Sequence, residues 1–215
     1  SAVGNARRIL VSEQSGVSNI AAVAPERFNI GHDKAAQRRV LDRVVELENQ
    51  GYQFEAAEAS FDVLIRRTLG GDWHRQLWRL DHYRCVILKT DGLATSTEAI
   101  VKLSVDGKTE HTVAAGDGPV DSLHRALGAA LRPHYPSVDD LHLVDYKVRV
   151  VNTAAETAAK VRVMIDWHDA TSAGYFGSVG VSENIIEASW LALVDAVEYK
   201  VLTESGKADK LGSGH

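Results

Sequence analysis

Residues 114–127 read AAGDGPVDSLHRAL, and they place a Gly-Asp-Gly-Pro turn directly before a helical pattern. At the start of a helix, free backbone N–H groups and the positive end of the helix dipole favour an anion. A phosphate site, an amino-acid carboxylate site and a plain tight turn all fit these residues. Because Gly118, Pro119 and Asp121 suit any sharp start of a helix, the pattern alone favours the plain turn.

Phosphate binding is the least supported of these three alternatives. A dinucleotide fingerprint needs G-x-G-x-x-G after a parallel strand, and a P-loop needs Gly-Lys followed by Ser or Thr. The sequence contains neither pattern at this turn.

The residue types that usually perform catalysis or hold metals do not cluster along this sequence. Two histidines spaced H-x-H or H-x-x-x-H would present two metal ligands on one face, and no such pair occurs. The histidines of the chain before its last residue are His32, His74, His82, His111, His124, His134, His142 and His168. Asp139 and Asp140 lie beside a Pro-Ser turn, and Trp190 falls on the buried side of its helix. We therefore expect no catalytic residue and no metal ligand here. The residues instead favour a module that binds a small molecule or dimerises.

Composition narrows the classes of protein further. The 215 residues carry a net charge of -5, without the basic stripe that nucleic-acid binding needs. No apolar stretch approaches the roughly 18 to 20 residues that span a bilayer, and no signal-peptide pattern occurs, so we expect no membrane contact. Cys85 is the single cysteine, which indicates a reducing, cytoplasmic location.

The first part of the chain has the apolar period of helices. One predicted helix covers 33–50 and ends at Gly51, and a second covers 52–69. Glycines in GGDW then mark a boundary. We therefore predict a linker subdomain over 1–71, mainly two helices, a second domain over 72–204, and a disordered tail over 205–215.

The second part repeats itself at a spacing of about 60 to 66 residues. LDHYRCVIL at 80–88 resembles LVDYKVRVV at 143–151, and VDSLHRAL at 120–127 resembles IEASWLAL at 186–193. The first copy predicts a strand, a hairpin turning at Asp106-Gly107 and a helix, over 80–89, 98–115 and 119–131. The second copy predicts strands over 143–152, 157–168 and 175–181 and a helix over 183–202. The fold class is therefore α+β, with a helical start followed by a duplicated βββα domain.

Five blocks of the chain together resemble one enzyme family. They are VGNARRILVSEQSGVSNI, LENQGYQFEAAEASFDVLIRR, AAGDGPVDSLHRAL, LVDYKVRV and GSVGVSENIIEASWLALVDAVEYKVL. Together they are similar to the C-terminal part of the citramalate synthase and 2-isopropylmalate synthase family, nearest to its citramalate branch. The match covers almost the whole chain, from about residue 4 to 202.

The resemblance implies a homodimeric acyltransferase that condenses acetyl-CoA with a 2-oxo acid, pyruvate for citramalate. Its catalytic TIM barrel, with a divalent metal, would precede the part seen here, so this chain alone would be catalytically silent. The same resemblance implies a regulatory domain that dimerises and binds the end product, isoleucine or leucine, for feedback inhibition.

Carried over residue by residue, the family's effector site falls on three segments of this sequence. The residues are Gly116, Asp117, Gly118, Pro119 and Val120 in the turn, Leu143, Asp145, Tyr146 and Val150 on a strand, and Val181 and Ser182 before the last helix. The turn would take the effector carboxylate, and the apolar members would line a slot for its branched side chain.

The linker departs from the isopropylmalate branch. Where that branch resembles G-K-H-S-G-R, this chain has Gln14 in place of the histidine and Val17 in place of the arginine. We therefore do not carry over a catalytic role for this segment, and we interpret Tyr52 and the two helices as an arm that couples effector binding to the barrel. A stand-alone amino-acid sensor with no enzyme attached stays open as the alternative, although the start at SAVGN, inside a family block, favours an excised fragment.

Overall fold

Two amphipathic helices open the part of the chain that the computed structural model describes, namely residues 27–28, 30–151 and 159–212, with side chains to 205. Helix α1 spans Lys34–Asn49, and its first turn is capped by Asp33, which accepts from the Ala36 N–H at 2.8 Å. Helix α2 spans Glu58–Leu69. Between them, Gly51 adopts φ +103°, a conformation that ends α1 at little steric cost.

The first βββα unit follows the glycine boundary. Strands β1, β2 and β3 span Arg79–Leu88, Ser96–Val105 and Lys108–Gly116, and helix α3 spans Pro119–Leu131. The three strands form one antiparallel sheet in the order β1-β2-β3. The hairpin turns at 106–107 as predicted, with φ +47° and +80°, the positive values that a type I′ turn requires.

The second unit repeats this order. Strands β4, β5 and β6 span Leu141–Val151, Lys160–Asp169 and Gly174–Ser182, and helix α4 spans Ile185–Gly212. They form a separate antiparallel sheet in the order β4-β5-β6. The predicted α+β class, with a helical start and a duplicated βββα unit, is confirmed.

A matched irregularity marks the duplication. The β1–β2 register shifts between Leu80 and His82, and the β4–β5 register shifts between Leu143 and Asp145. The two bulges stand 63 residues apart at corresponding points of the two sheets. Because bulges re-aim a strand, both units bend their first strand in the same way.

Helix α4 is longer than the sequence pattern indicated. Its backbone stays helical to Gly212, through part of the segment 205–215 that was predicted to be a disordered tail. Ala208 and Leu211, like the lysines of this segment, are good helix formers, so an already nucleated helix can continue through them. Residues 213–215 lie outside the described part of the chain, and the domain boundaries at 71 and 204 stay predictions.

Two hydrophobic cores hold the described residues together. The larger core belongs to the duplicated domain and joins β2, α3, β5 and α4, with α3 lying on β2–β3 and α4 on β5–β6. The smaller core belongs to the linker helices and includes Val179 of β6. Among the described residues, no helix is both long enough and apolar enough to cross a bilayer.

Helix α2 starts six residues later than predicted, because long-range contacts hold the preceding segment in another shape. The Arg162 Nε–H on β5 donates to the Gly51 carbonyl at 2.5 Å, and the Arg162 Nη1–H donates to Gln53 Oε1 at 2.6 Å. A Cβ added at Gly177 would overlap the Ala56 carbonyl oxygen, so the segment lies directly on β6. These contacts are not visible in a helical period.

Candidate functional site

The Gly-Asp-Gly-Pro turn joins the end of β3 to the start of α3. A Cβ added at Gly116 would lie within 2.6 Å of both Ser122 N and Asp121 Oδ2, so this glycine is required by the close approach of strand and helix. Asp121 also accepts from the Asp117 N–H at 3.0 Å. Gly118 differs, because its φ of -166° is ordinary extended backbone and a Cβ there would meet nothing within 4 Å.

The first turn of α3 has no side-chain cap. Gly118 occupies the N-cap position and provides only its carbonyl, which accepts from the Ser122 N–H at 2.9 Å. Pro119 has no N–H, and Val120 and Asp121 come too early in the helix for a bond within it. Their two N–H groups are therefore available to an anion at the positive end of the helix dipole.

The corresponding turn of the second unit satisfies its own helix. Asn184 Oδ1 accepts from the Ile186 N–H at 2.8 Å, at the start of α4. The Ser182 hydroxyl donates to Glu187 Oε2 at 2.7 Å and accepts from the Asn184 N–H at 3.1 Å. Two pseudo-equivalent helix starts thus differ: side chains fill the second, and glycine leaves the first open.

Residues of β1 and β2 that the sequence analysis did not select form the wall beside the turn. In the strand register Ile87, Thr97 and Gly116 stand side by side, on the face of the sheet that α3 covers. Ile87 is 58 % exposed despite being aliphatic, and Thr97 is buried. The Cys85 thiol lies 4.0 Å from the Pro119 carbonyl oxygen. The hairpin register, once Asp106-Gly107 is fixed, is the sequence signal that could have found Thr97 beside Gly116, whereas the pairing of Ile87 with Thr97 has no such signal.

The predicted residues of β4 lie in the second unit. Leu143 and Tyr146 pack against the larger core, and the Tyr146 hydroxyl lies 2.9 Å from Ser189 Oγ on α4. Asp145, at the bulge, is exposed and pairs with Lys147 Nζ at 2.7 Å, which holds the pKa of this carboxyl below its ordinary value. Val150 is 69 % exposed.

The predicted residues at the end of β6 face the linker and α4. Val181 is buried, and one of its methyl groups would lie 3.6 Å from a Cβ added at Gly51. The Tyr52 hydroxyl hydrogen-bonds to the Val181 backbone, yet burial still raises the pKa of Tyr52. Tyr52, interpreted from sequence as part of a coupling arm, therefore touches a predicted effector residue.

The strand register of the second sheet relates two of these segments, those on β4 and β6, to each other. Val150, Val161 and Ser182 stand side by side on the second sheet, as Ile87, Thr97 and 116 do on the first. Val150 and Ser182 thus occupy the corner of the second unit that corresponds to the open turn of the first, whereas Val181 points to the opposite face of that sheet, towards Gly51 of the linker. In the described part of the chain, the hydrogen bonds of the turn stay with the first unit, and those of Tyr146 and Ser182 stay with the second.

Strand β1 brings the beginnings of the two helices near each other. Tyr83 and Cys85 point to the same face of β1 and contact different helices. Cys85 reaches Pro119 at the start of α3, and the Tyr83 ring stacks on Trp190 of α4 with ring centres 4.8 Å apart. Val120 packs against the same core as Leu143 and Tyr146.

Two carboxylates, an arginine and a partly buried histidine surround the turn. Asp121 also pairs with Arg125 at 2.9 Å, and Asp117 is an exposed carboxylate beside the free N–H groups. His124, the histidine closest in sequence, has a pKa lowered by burial, with its ring 5.1 Å from that of Trp167. Within the described ranges, no three or more His, Cys, Asp or Glu side chains lie close enough to hold a metal ion.

The chain matches known proteins over most of its length. Residues 55–201 match the family described as the LeuA allosteric (dimerisation) domain. The chain is 46 % identical over 206 residues to an (R)-citramalate synthase of Aquifex aeolicus, covering 94 % of this chain and 38 % of that protein. An (R)-citramalate synthase of Geobacter sulfurreducens is also 46 % identical, covering 93 % of this chain and 37 % of that protein.

The chain is also similar, at lower identity, to proteins called 2-isopropylmalate synthase. A 2-isopropylmalate synthase of Shewanella sediminis is 30 % identical over 122 residues, covering 57 % of this chain and 20 % of that protein. The chain therefore spans well under half the length of these relatives. The resemblance inferred from the five sequence blocks is confirmed, and the chain belongs to the LeuA allosteric (dimerisation) domain family.

Proposed function

We propose that this chain is the effector-binding and dimerising region of an acetyl-CoA-dependent acyltransferase of the citramalate synthase type. In this proposal the catalytic barrel, its divalent metal and the acetyl-CoA site belong to the part of the enzyme outside this chain. The proposal assigns no metal to the described residues, among which no three or more His, Cys, Asp or Glu side chains lie close together. We also place the protein in the cytoplasm, where its free Cys85 would stay reduced.

The open start of α3 is the observation that supports effector binding. The carboxylate of an amino acid would accept from the Val120 and Asp121 N–H groups, as anions do at helix N-termini. The exposed carboxylate of Asp117 would receive the ammonium group, and Ile87 and Val120 would contact the side chain. The start of α4 has no equivalent free N–H group at Ile186, because this group already donates to Asn184 Oδ1.

Isoleucine ranks before leucine as the effector. The relatives called (R)-citramalate synthase are 37 to 46 % identical and match over more than nine-tenths of this chain. The relatives called 2-isopropylmalate synthase match at 28 to 30 % identity over 50 to 57 % of this chain. Since the resemblance connects citramalate with isoleucine synthesis, the effector of the closer branch is the better candidate.

A homodimer is the second part of the proposal. The outer face of the first sheet exposes Val86, Leu88 and Val113, which are 49 %, 60 % and 55 % exposed. The outer face of the second sheet is covered by the linker at Val179 and Met164. Exposed apolar surface on an edge strand such as β1 is typical of an interface, and a second copy of the chain would bury it.

Calorimetric titration of the chain with isoleucine, leucine and valine tests the effector. We expect isoleucine to bind, with leucine weaker and valine weakest, because all three share the carboxylate and ammonium contacts and differ only in side chain. Absence of heat for all three at millimolar concentration, with the protein folded and dimeric, would contradict the proposal. The plain turn would then be the correct interpretation of Gly-Asp-Gly-Pro.

A further inference from the structure

Thr97 on β2 is a buried residue with an unpaired hydroxyl beside the open turn. Only 5 % of its surface is exposed, and it pairs directly with Gly116 of β3. Within the part of the chain that the structure describes, no residue forms a hydrogen bond with this hydroxyl. Because an unpaired buried hydroxyl is unfavourable for stability, the fold alone does not explain a threonine at this position.

Every other buried serine or threonine among the described residues has a hydrogen-bond partner. The pairs are Ser60 with Val179, Ser122 with Pro119, Ser178 with Trp167, and Ser189 with Ile185. Thr97 is therefore an exception within this protein, and its hydroxyl is free to bond to a ligand.

The Thr97 side chain lies next to the first turn of α3. Directly paired residues point to the same face of a sheet, and α3 covers the face on which Thr97 and Gly116 stand. A Cβ added at Gly116 would lie 2.5 Å from Ser122 N and 2.6 Å from Asp121 Oδ2, so the helix start fills the space beside Thr97. Since the Cβ positions of paired residues are about 5 Å apart, the hydroxyl stands beside the helix start.

The second unit has no such hydroxyl. Val161 takes the position of Thr97, between Val150 and Ser182 in the register of the second sheet. Valine has nearly the shape of threonine and lacks the hydroxyl, while the Ser182 hydroxyl is already paired with Glu187. The corner with the open helix start therefore has the unpaired hydroxyl, and the corner with the self-capped helix start does not.

The neighbours of Thr97 give this corner a polar floor and an apolar rim. Ile87, on the other side of Thr97 in the register, is 58 % exposed, whereas Thr97 is buried. Asp121 accepts from the Asp117 N–H and pairs with Arg125, so its carboxylate is already engaged. A ligand that enters with its carboxylate towards the floor would therefore leave its apolar side chain against Ile87.

We propose that the Thr97 hydroxyl donates to the effector carboxylate, alongside the Val120 and Asp121 N–H groups. This inference rests on the proposed effector site, and it adds to that site a side chain that selects the ligand. The hydroxyl is already desolvated and held on a strand, so little ordering opposes the bond. The site then requires an oxygen acceptor at its floor, which favours a carboxylate over an apolar ligand of the same size.

Calorimetric titration with isoleucine of the parent, Thr97→Val and Thr97→Ser tests the inference. In Thr97→Val, Kd should rise about ten- to a hundredfold, the loss typical of a hydrogen bond to a charged group. Thr97→Ser keeps the hydroxyl and should stay close to the parent value. Without ligand, Tm of Thr97→Val should be unchanged or higher, because a methyl group replaces an unpaired hydroxyl.

Thr112→Val is the matched control. Thr112 lies on β3, and its hydroxyl donates to the Ala126 carbonyl of α3 at 2.7 Å. This variant should lower Tm, since it leaves a carbonyl unpaired, and it should keep the parent's Kd for isoleucine.

The possible failures of the inference and of the effector site are distinguishable. If the parent binds isoleucine and Thr97→Val binds it equally well, the inference is wrong and the effector site stands. Equal loss of affinity in Thr97→Val and Thr97→Ser would assign the effect to packing, and a fall in Tm of Thr97→Val like that of Thr112→Val would show a structural hydroxyl; either result contradicts the inference. If the folded parent binds no isoleucine, both the site and the inference fail.

Discussion

Replacing Gly118 by Asn should convert the open start of α3 into a copy of the self-capped start of α4. A Cβ at this position meets nothing within 4 Å and the backbone is extended, so the side chain can be accommodated. The new amide oxygen would accept from the N–H groups that we assign to the effector, as Asn184 does in the second unit. The variant therefore tests binding without adding charge.

The two expected effects have opposite signs. Asn at the N-cap should stabilise the free protein by about 0.5 kcal/mol over Gly, or about 1 to 2 °C in Tm. The parent should gain about 2.7 kcal/mol from an effector at a hundredfold excess over Kd, or roughly 5 to 11 °C. The variant should lose most of that gain.

Thermal melts with and without isoleucine measure both effects. Asn184→Gly is the matched control: it removes the cap of α4, should lower Tm slightly, and should keep the full ligand shift. A Gly118→Asn variant that retains the parent's ligand shift would refute the reasoning, because the free N–H groups of α3 would then not be the carboxylate site.

Four further predictions concern the chain as a whole. Incubated with acetyl-CoA, pyruvate and Mg²⁺ or Mn²⁺, it should release no CoA above the buffer rate. Sedimentation should show a mass of about twice 23.4 kDa for the parent. Leu88→Lys should shift the equilibrium towards monomer. A parent protein that is monomeric at tens of micromolar would contradict the dimer. Gly177→Ala should lower Tm by far more than Gly118→Ala, since only the first new methyl overlaps the Ala56 carbonyl. The pKa of Asp195 is about 6 in the folded state against the ordinary 3.8, so the protonated carboxyl stabilises the fold below pH 4 and this stabilisation is lost as pH rises through 6. The loss in free energy of unfolding should reach up to about 3 kcal/mol. Urea unfolding from pH 4 to 7 should show this decrease in the parent and not in Asp195→Asn.

The sequence predicted those elements whose signals are local. Asp106 and Gly107 specify a type I′ hairpin, which sets the β2–β3 register, and the predicted strand over 80–89 differs from β1 by one residue at each end. Pro119 correctly predicts the start of α3, because the first residue of a helix has no partner for an N–H and proline has none.

Features set by distant contacts were not predictable in this way. Arg162, more than a hundred residues along the chain, fixes the shape of 51–53 and delays the start of α2. The burial of Asp195 has no signal in the sequence, because a carboxylate on an amphipathic helix normally faces water. Likewise Ile87 becomes part of the candidate site only through its position beside 97 and 116 in the sheet.

The self-capped turn of the second unit limits how steeply the protein can respond to its effector. Duplication by itself would give a dimer four equivalent pockets, but Asn184 and Ser182 close the second turn of each chain with the protein's own oxygens. Under the proposed function a dimer then holds two effector molecules, and the Hill coefficient of its inhibition curve cannot exceed 2. Such a curve needs at least a ninefold rise in effector to move from one-tenth to nine-tenths inhibition, so the enzyme would be tuned gradually over a range of effector concentration.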